Sequence, residues 1–405
     1  MKGNGKGGRE IGGAMRGRRG KGGPWRILGT MSGTSLDGVD VALIESDGER
    51  IFRLGPGRVR RYPPRIRARL RAALGLWPGI APAQERLIER AARTVERQHA
   101  IAIRNHPAFP DDVDFIAFHG QTLAHEPRGR GTHQAGDGER LAATLGRPVV
   151  WDFRSADVAL GGEGAPLAPV FHHALARHLG FEAPVAFLNI GGVANITLAD
   201  PRLVDPAAEG ALLAFDTGPG GALLDDFVAR KAPPGAPRHD RDGCFSAEGR
   251  VDEAALRAFL AHPFFLRMPP KSLDRDAFSA LAAAVGRMRL ADGAATLVAA
   301  SAAAVGAAFE QLPKRPERLI LCGGGRLNPT LRRAIRAAVP AGVAVVTVDE
   351  FGLDGDMIEA WAFGHLAARV VRGLPTSFPS TTGVPAAVAG GRISRPGVAA
   401  AGDAG

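Results

Sequence analysis

The chain has 405 residues, and at about 150 residues per domain this length predicts two or three folded units. Hydrophobic residues make up 45% of the chain and charged residues 23%, which is typical of soluble globular proteins and excludes a wholly disordered polypeptide. Cys244 and Cys322 lie far apart and outside any CxxC spacing, so the sequence offers neither a disulfide framework nor a structural zinc site. We expect a cytoplasmic protein without a membrane span, because the most apolar stretch, 294–309, is too short to cross a bilayer.

The net charge of +10 is concentrated at the N-terminus, where residues 1–23 hold seven basic side chains, one acidic side chain and ten glycines. This composition predicts a disordered basic tail over residues 1–24, since it has too little apolar surface to offset the entropy of folding. Arg/Gly-rich segments can contact RNA, but a passenger segment from an upstream start codon explains the tail equally well. We do not expect a nucleic-acid partner.

Short apolar runs and amphipathic segments alternate along the rest of the chain. In the first half they predict strands over 26–30, 39–45, 51–60 and 113–118, and helices over 66–74 and 83–104. In the second half they predict strands over 185–189, 194–198, 212–215, 319–322 and 343–348, and helices over 222–230, 329–338 and 356–372. This alternation is typical of the α/β class.

A hairpin with a glycine-containing turn occurs near the start of each half, which predicts two similarly built lobes around a cleft. Two unrelated hairpins in one α/β protein would fit the spacing as well. We place the first lobe at residues 25–152, the second lobe at 153–382 and a flexible tail at 383–405. The last helix of the second lobe is free to pack back on the first lobe.

The turn of the first hairpin has the composition of a phosphate-binding loop. The chain contains no GxxxxGK[ST] motif and no protein-kinase signature, yet turns of small residues also present backbone N–H groups to phosphates. The turn supplies small residues, hydroxyl groups and one carboxylate suited to hydrated Mg²⁺, from Ser32, Gly33, Thr34, Ser35, Asp37 and Gly38. A polar β-turn that caps itself is the simpler alternative.

A carboxylate follows the predicted strand 212–215 and precedes a glycine turn that opens a helix. Asp216 would there lie in the cleft beside the N–H groups of the helix start, a position suited to a general base next to a phosphoryl acceptor. The alternative is that Asp216 caps the helix at Ala222.

Two further glycine turns follow predicted strands. Asn189 and Asn195 flank the pair Gly191-Gly192, as type I′ hairpins prefer. The run 323–325 consists of three glycines, which can admit the flat face of a nucleobase or only end the strand.

Polar side chains also follow two predicted strands. His119, Gln121 and Arg154 come after such strands, and hydrogen-bonding groups in this position suit a polyhydroxylated ligand. Zinc binding by His119 and His125 is not favoured, because no helix aligns the two rings across their six-residue gap.

Eight segments, taken in chain order, resemble the anhydro-N-acetylmuramic acid kinase family, bacterial enzymes of the sugar kinase, Hsp70 and actin superfamily. The resemblance covers residues 27 to about 382 and depends on the ordered set rather than on any one segment. The segments are GTMSGTSLDGVDVAL at 29–43, FHGQT at 118–122, VVWDFRSADVALGGEGAPLAP at 149–169, NIGGVANIT at 189–197, FDTGPG at 215–220, PPKS at 269–272, CGGGRLNP at 322–329 and EAWAFGHLAAR at 359–369.

The resemblance implies two RNase H-like lobes of the actin, Hsp70 and hexokinase type around an ATP-binding cleft, with ATP and Mg²⁺ as cofactors. It implies hydrolytic opening of the 1,6-anhydro ring of 1,6-anhydro-N-acetylmuramic acid with phosphorylation at O6, which yields N-acetylmuramic acid 6-phosphate in peptidoglycan recycling. Asp216 takes the position of the base that activates water for attack at the anomeric carbon.

The resemblance also assigns binding positions. The positions expected to bind the nucleotide are Gly33, Thr34, Ser35, Leu36, Asp37, Gly38, Val39, Asp40, Asn189, Gly191, Gly192, Gly218, Gly220, Gly323, Gly324, Gly325 and Asn328. The positions expected to bind the sugar are Ser32, His119, Gln121, Arg154 and Glu359. Asp37 is the candidate Mg²⁺ ligand.

Three features depart from the family pattern. Gly221 stands where an asparagine is expected, Glu163 stands where a glutamine is expected, and the basic tail is not a family feature. These departures bear on rate or specificity rather than on the class of reaction.

Two alternatives stay open: an ordinary sugar kinase in which Asp216 deprotonates a sugar hydroxyl, and a nucleotide-switched binding protein of the Hsp70 or actin type. The sequence is also compatible with either a monomer or a homodimer.

Overall fold

Strands and helices alternate through residues 23–273 and 277–397, the part of the chain that the computed structural model describes. The strands β1 to β13 are Trp25–Met31, Gly38–Ser46, Ile51–Arg61, Phe115–Phe118, Gln121–Glu126, Gly131–Ala135, Val149–Trp151, Val185–Ile190, Val193–Ala199, Leu212–Pro219, Arg318–Cys322, Ala344–Thr347 and Arg392–Ser394. The helices α1 to α12 are Pro64–Arg71, Pro82–Arg104, Gly138–Leu145, Ser155–Ala159, Pro169–His178, Ala222–Lys231, Glu253–Leu260, Ser279–Val285, Leu290–Phe309, Pro329–Ala338, Ile358–Arg372 and Pro379–Thr382. The predicted α/β class is confirmed.

Two sheets form the centres of two lobes, and five strands of the first have the same order as the five strands of the second, with β13 as an additional edge strand in the first. The first sheet has the order β13-β7-β4-β1-β2-β3 and the second has the order β10-β9-β8-β11-β12. In each, three consecutive strands pair antiparallel, and two later strands lie parallel to the first of the three. The repeated order confirms two similarly built RNase H-like lobes and excludes two unrelated hairpins.

Helix starts follow local rules that the sequence displays. Helices α1, α2, α5 and α10 each begin with proline, which is favoured there because its missing N–H would have no partner in the helix. Asp137 and Asp252 cap α3 and α7 by accepting two backbone N–H groups each. The prolines that begin α2 and α10 lie within one residue of the predicted helix starts at 83 and 329, whereas α3 and α7 were not among the predicted helices.

Helix α11 of the second lobe packs against the sheet of the first lobe, whereas α5 packs against the sheet of its own lobe. Helix α11 lies on β1, β2 and β4 of the first sheet, and α5 contacts β9 and β10 of the second sheet. A Cβ atom on Gly29 would overlap the carbonyl oxygen of Ala360, so only glycine lets α11 approach β1 this closely. Trp361 fixes the same helix by donating its indole N–H to the Leu43 carbonyl at 3.0 Å.

The segment after residue 382 differs from the predicted flexible tail. Val384 and Val388 are buried, and β13 pairs antiparallel with β7 at the edge of the first sheet. Apolar side chains at these two positions give the segment a surface to bury, which explains the difference for residues 383–397. Residues 398–405 and residues 1–22 of the predicted basic tail lie outside the described part.

Helix α9 contains the apolar stretch noted in the sequence. The helix extends over 20 residues, four more than the apolar stretch, because it includes Leu290 to Gly293. By length and composition it could cross a membrane, but more than half of its most apolar window is buried inside the protein. It packs against α6, α7, α10 and β10, as a core helix of the second lobe does.

Candidate active site

Asp216 lies inside β10, the edge strand of the second sheet, and not beyond the strand end as the sequence predicted. The pairing of β10 with β9 shifts between Asp216 and Gly218, so Thr217 forms a bulge at this point. The Asp216 N–H donates to the Lys271 carbonyl at 2.9 Å, and its Oδ2 accepts the Leu273 N–H at 2.8 Å. Residues 271–273 thus cover the outer edge of β10 and orient the carboxylate.

The alternative role of Asp216 as a helix cap is wrong. Helix α6 begins after Gly221 without a side-chain cap, while the Asp216 carboxylate is held by Leu273 from a different segment. Burial raises the pKa of Asp216 to about 7; the Leu273 N–H partly opposes this effect and the Glu163 carboxylate adds to it. A carboxylate with such a pKa exchanges protons near neutral pH, as a general base must.

The glycine turn after Asp216 packs directly on the β8–β9 turn. The N–H groups of Gly220 and Ala222 donate to the Gly192 carbonyl, at 3.0 and 3.2 Å, and the Gly221 N–H donates to the Gly191 carbonyl at 2.7 Å. A Cβ on Gly220 would overlap the Gly191 carbonyl. The N–H groups at the start of α6 therefore bind this turn, in contrast to our expectation that they face the phosphoryl acceptor.

Gly218 also has a packing role. A Cβ at this position would overlap the Cβ of Ala304 on α9, so glycine lets the bulged part of β10 contact that helix. Close packing thus explains why glycine stands at positions 218 and 220, the two residues that the family resemblance assigns to nucleotide binding.

The β1–β2 loop presents its small polar side chains to solvent. Thr34, Ser35 and Asp37 are exposed, whereas Leu36 is buried and adopts a positive φ of 59°. The Leu36 N–H closes the turn on the Gly33 carbonyl at 3.1 Å. Hydroxyl groups arranged in this way are accessible to a phosphate.

Asp37 and Asp40 differ in their surroundings. The exposed Asp37 carboxylate pairs with Arg67 of α1. Burial raises the pKa of Asp40 to about 7, and the carboxylates of Glu359 and Asp356 add to the rise. Gly38 and Val39, which begin β2, are buried, and the two aspartates supply the carboxylates at this end of the hairpin.

Ser32 and Gln121 form a buried polar network at the end of β1. Ser32 donates its hydroxyl to Gln121 Oε1 at 2.7 Å, and Gln121 Nε2 donates to the Gly33 carbonyl at 3.2 Å. The Tyr62 hydroxyl lies 2.9 Å from the Ser32 hydroxyl, and burial raises the Tyr62 pKa to about 12. Tyr62, the single tyrosine of the chain, was missed by sequence reasoning because it lies 30 residues from Ser32.

His119 and Arg154 contact each other directly. Arg154 donates to His119 Nε2 from Nη2 at 3.0 Å and donates from Nη1 to the Gly164 carbonyl at 2.6 Å. Burial and the neighbouring guanidinium hold the His119 pKa well below its usual value. The ring is therefore neutral, with Nδ1 donating to the Gly120 carbonyl at 3.0 Å, and the pair offers a guanidinium to a ligand.

Glu359 brings the two halves of the candidate site together. It lies in the first turn of α11, and its Oε1 accepts the amide of Asn189 from the end of β8 at 3.4 Å. Burial raises the Glu359 pKa, and the positive charge of Arg154 opposes this rise. Glu359 thus stands among Asp40 of the first lobe and Arg154 and Asn189 of the second lobe.

The three-glycine turn after β11 packs against the end of β8. A Cβ on Gly323, which has a φ of 74°, would overlap the Asn189 side chain, and one on Gly325 would overlap Ile190, whereas Gly324 has open space. Asn328 caps α10 by accepting the N–H groups of the second and third residues after it, at 3.0 and 3.1 Å. Its amide donates to Asp240 at 2.9 Å, so the contacts of Asn328 are those of a helix cap.

Comparison with known proteins identifies the family. A model of the family described as anhydro-N-acetylmuramic acid kinase matches residues 25–395. The chain belongs to this family. The anhydro-N-acetylmuramic acid kinase of Cereibacter sphaeroides is 56% identical over 93% of this chain and 98% of its own length. The protein of the same name from Ruegeria sp. is 52% identical over 93% of this chain and 96% of its own length.

Membership in the anhydro-N-acetylmuramic acid kinase family makes the chain a kinase that uses ATP and an alcohol acceptor. A ROK family glucokinase from Streptomyces griseus, solved in complex with glucose and AMPPNP, aligns with 85% of this chain and 99% of its own length at 12% identity, with a TM-score of 0.41.

Proposed function

We propose that the protein opens the 1,6-anhydro ring of 1,6-anhydro-N-acetylmuramic acid in the cytoplasm and phosphorylates O6, as part of peptidoglycan recycling. The balanced reaction consumes ATP, water and the anhydro sugar, and it yields N-acetylmuramic acid 6-phosphate and ADP. Water forms the new bond at C1, the bond between C1 and O6 breaks, and O6 takes the γ-phosphoryl group.

One observation carries this proposal: the partly buried Asp216 carboxylate is oriented by the Leu273 N–H, and burial raises its pKa to about 7. Asp216 would accept the proton of the attacking water. A base with a pKa near the working pH is an efficient acceptor, since it is ionised in part and still basic. The bulge at Thr217 supports this role, because bulges re-aim side chains beside active sites.

The pair of His119 and Arg154 would bind and orient the sugar. Arg154 has a pKa lowered to about 10 by burial and stays charged at neutral pH, so it suits the lactyl carboxylate of a muramic acid. Gln121 and Ser32 supply amide and hydroxyl groups held by their mutual hydrogen bond. Glu359 would accept a hydrogen bond from a sugar hydroxyl.

The nucleotide phosphates would lie at the β1–β2 loop. Among residues 23–273 and 277–397 no three His, Cys, Asp or Glu side chains come together as a ready metal site, so Mg²⁺ would arrive with ATP. The carboxylate oxygens of Asp40 and Asp37 fit this ion, which takes one or two protein carboxylates and phosphate oxygens. When bound, Mg²⁺ would neutralise charge on the transferred phosphoryl group.

The test is turnover of the purified full chain with ATP, Mg²⁺ and the anhydro sugar in ¹⁸O-water, followed by mass spectrometry. We expect N-acetylmuramic acid 6-phosphate with one ¹⁸O at C1. A phosphorylated product without ¹⁸O would favour the ordinary sugar kinase, in which Asp216 deprotonates a hydroxyl. Absence of any phosphorylated sugar would refute the proposal.

A further inference from the structure

Glu163 lies in the loop between α4 and α5, and its carboxylate joins side chains from two distant segments. Arg128 of the β5–β6 turn donates from Nε to Glu163 Oε1 at 2.7 Å. Ser272 donates its hydroxyl to Glu163 Oε2 at 2.8 Å. Glu163 is only 8% exposed, whereas the Arg128 side chain is largely exposed. The buried carboxylate is therefore held at two points, one at the surface and one inside the protein.

The contact with Ser272 leads directly to Asp216. Leu273, the next residue, donates its N–H to Asp216 Oδ2 at 2.8 Å, and Lys271, the preceding one, accepts the Asp216 N–H at 2.9 Å. Lys271 anchors the other end of this segment, because its buried Nζ donates to the Phe264 carbonyl at 3.1 Å. Fixing Ser272 therefore fixes the donor that aims the Asp216 carboxylate.

The backbone beside Glu163 leads in the opposite direction, to Arg154. The Glu163 carbonyl accepts His125 Nε2 at 2.9 Å, and the Gly164 carbonyl accepts Arg154 Nη1 at 2.6 Å. The buried Asp157 fixes this loop by accepting the Gly164 N–H at 2.7 Å. Glu163 and Gly164 thus form a continuous connection between the Asp216 strand and the side chains proposed to hold the sugar.

We propose that Glu163 is a positioning residue for Asp216. Its carboxylate holds the Ser272 hydroxyl, and through that segment it orients the Leu273 N–H that aims the Asp216 carboxylate. The charged and titratable groups facing Glu163 are Arg128 from the β5–β6 turn, His125 from β5 and Asp216 from β10. This inference rests on the proposed function, in which Asp216 is the base.

The experiment compares Glu163→Gln, Glu163→Ala and Ser272→Ala in the full chain. Glutamine keeps an acceptor for Ser272, so Glu163→Gln is expected to retain kcat within about 3-fold, whereas Glu163→Ala is expected to lose about 10- to 10²-fold, the usual effect of a misplaced catalytic group. The KM for ATP is expected to stay unchanged. The double variant Glu163→Ala with Ser272→Ala is expected to lose no more than the larger single loss, because both act through one hydrogen bond.

A matched control is Glu89→Gln. Glu89 accepts Arg93 Nε at 2.7 Å, the same distance as in the pair of Arg128 and Glu163, but both partners are exposed. It is expected to leave kcat unchanged. A Glu163→Ala variant with wild-type kcat, or a Glu163→Gln variant as slow as Glu163→Ala, would overturn the positioning role.

A second readout does not depend on turnover. The carboxyl carbon of Asp216 is titrated by ¹³C NMR, with Asp216→Asn used for assignment. Removal of the negative charge in Glu163→Gln is expected to lower the titration midpoint, while Glu89→Gln is expected to leave it in place. If the wild-type protein turns over no sugar, the proposed function fails, whereas an unchanged midpoint in Glu163→Gln refutes the coupling of Glu163 to Asp216.

Discussion

The two lobes share strand order and direction, yet their third strands differ. Thr30, next to last in β1, aligns through Val41 with Arg58 of β3. Asn189, next to last in β8, aligns through Asn195 with Asp216 of β10. The same place in the repeat thus holds an exposed arginine in one lobe and a partly buried carboxylate in the other. The reactive group comes from a local change on a repeated scaffold.

The first turn of each lobe differs in a related way. The β1–β2 loop exposes Thr34 and Ser35, while the β8–β9 turn gives its Gly191 and Gly192 carbonyls to the start of α6. The first turn presents polar side chains to solvent, whereas the second turn uses its backbone carbonyls to bind the start of α6. Equivalent positions in a duplicated fold therefore do not predict equivalent roles.

The largest expected effect distinguishes Asp216 on β10 from Arg58, the aligned residue on β3. Asp216→Asn is expected to lose at least about 10²-fold in turnover, the usual contribution of a general base, with little change in ATP binding. The aligned variant Arg58→Gln in the other lobe is expected to keep kcat within about 2-fold. Steady-state kinetics of both variants check this prediction. A large loss of kcat in Arg58→Gln would contradict it, because the third strand of the first lobe would then also contribute to catalysis.

The same substitution has an effect on stability whose sign follows from the pKa of Asp216. Burial raises that pKa from 3.8 to about 7, so the folded state favours the protonated form and loses stability as the pH rises through this range. Asp216→Asn cannot ionise. Its Tm is therefore expected to exceed that of the wild type at pH 8, and the difference is expected to shrink towards pH 4 in thermal melts.

The next effect concerns the packing of α11, from the second lobe, on the sheet of the first lobe. Gly29→Ala would force a Cβ into the Ala360 backbone, and we expect a loss of about 3 kcal/mol or more, at the upper end for an overpacked core. Gly324→Ala is the control, because nothing lies within 4 Å of its Cβ position. Chemical denaturation measures both, and equal stabilities would mean that α11 tolerates displacement from β1.

A smaller effect is expected at the second lobe's three-glycine turn. Arg326 is only 4% exposed and binds Asp349 and Asp356 at 2.8 Å each. Arg326→Gln would remove both ion pairs, which connect the three-glycine turn to the segment that precedes α11. A loss of about 1–3 kcal/mol in stability and a higher KM for ATP are expected. Arg333→Gln on the exposed face of α10 is the control, and it should change neither the stability nor the KM for ATP. Thermal melts and steady-state kinetics measure the two quantities.

The smallest effect is expected in the first lobe's loop. Thr34→Ala removes one exposed hydroxyl, and loss of one hydrogen bond of about 1 kcal/mol raises the KM for ATP by roughly 5-fold. The value of kcat should not change. Thr144→Ala removes an exposed hydroxyl far from the loop in sequence and serves as the control. A fall in kcat for Thr34→Ala would give the loop a role in the chemical step.

Local patterns predicted the repeated lobes and the start of the strand that carries Asp216, although they ended this strand at residue 215, before Asp216. They did not predict the donor that orients its carboxylate, since Leu273 lies 57 residues away from Asp216 and its backbone N–H has no signature in sequence. The contact of Arg128 with Glu163 spans 35 residues and is likewise a product of tertiary packing. The β5–β6 hairpin was missed because its strands are largely polar and lack an alternating apolar pattern.

Helix α11 and strand β13 complete the first sheet from the far end of the chain. During synthesis on a ribosome, the apolar face of β1 and β2 is therefore uncovered until α11 is translated, more than 300 residues later. The N-terminal half is not a unit that finishes folding before the C-terminal half emerges, in contrast to chains whose domains fold one after another. Nascent chains of this protein would depend on chaperones to shield that face until translation ends.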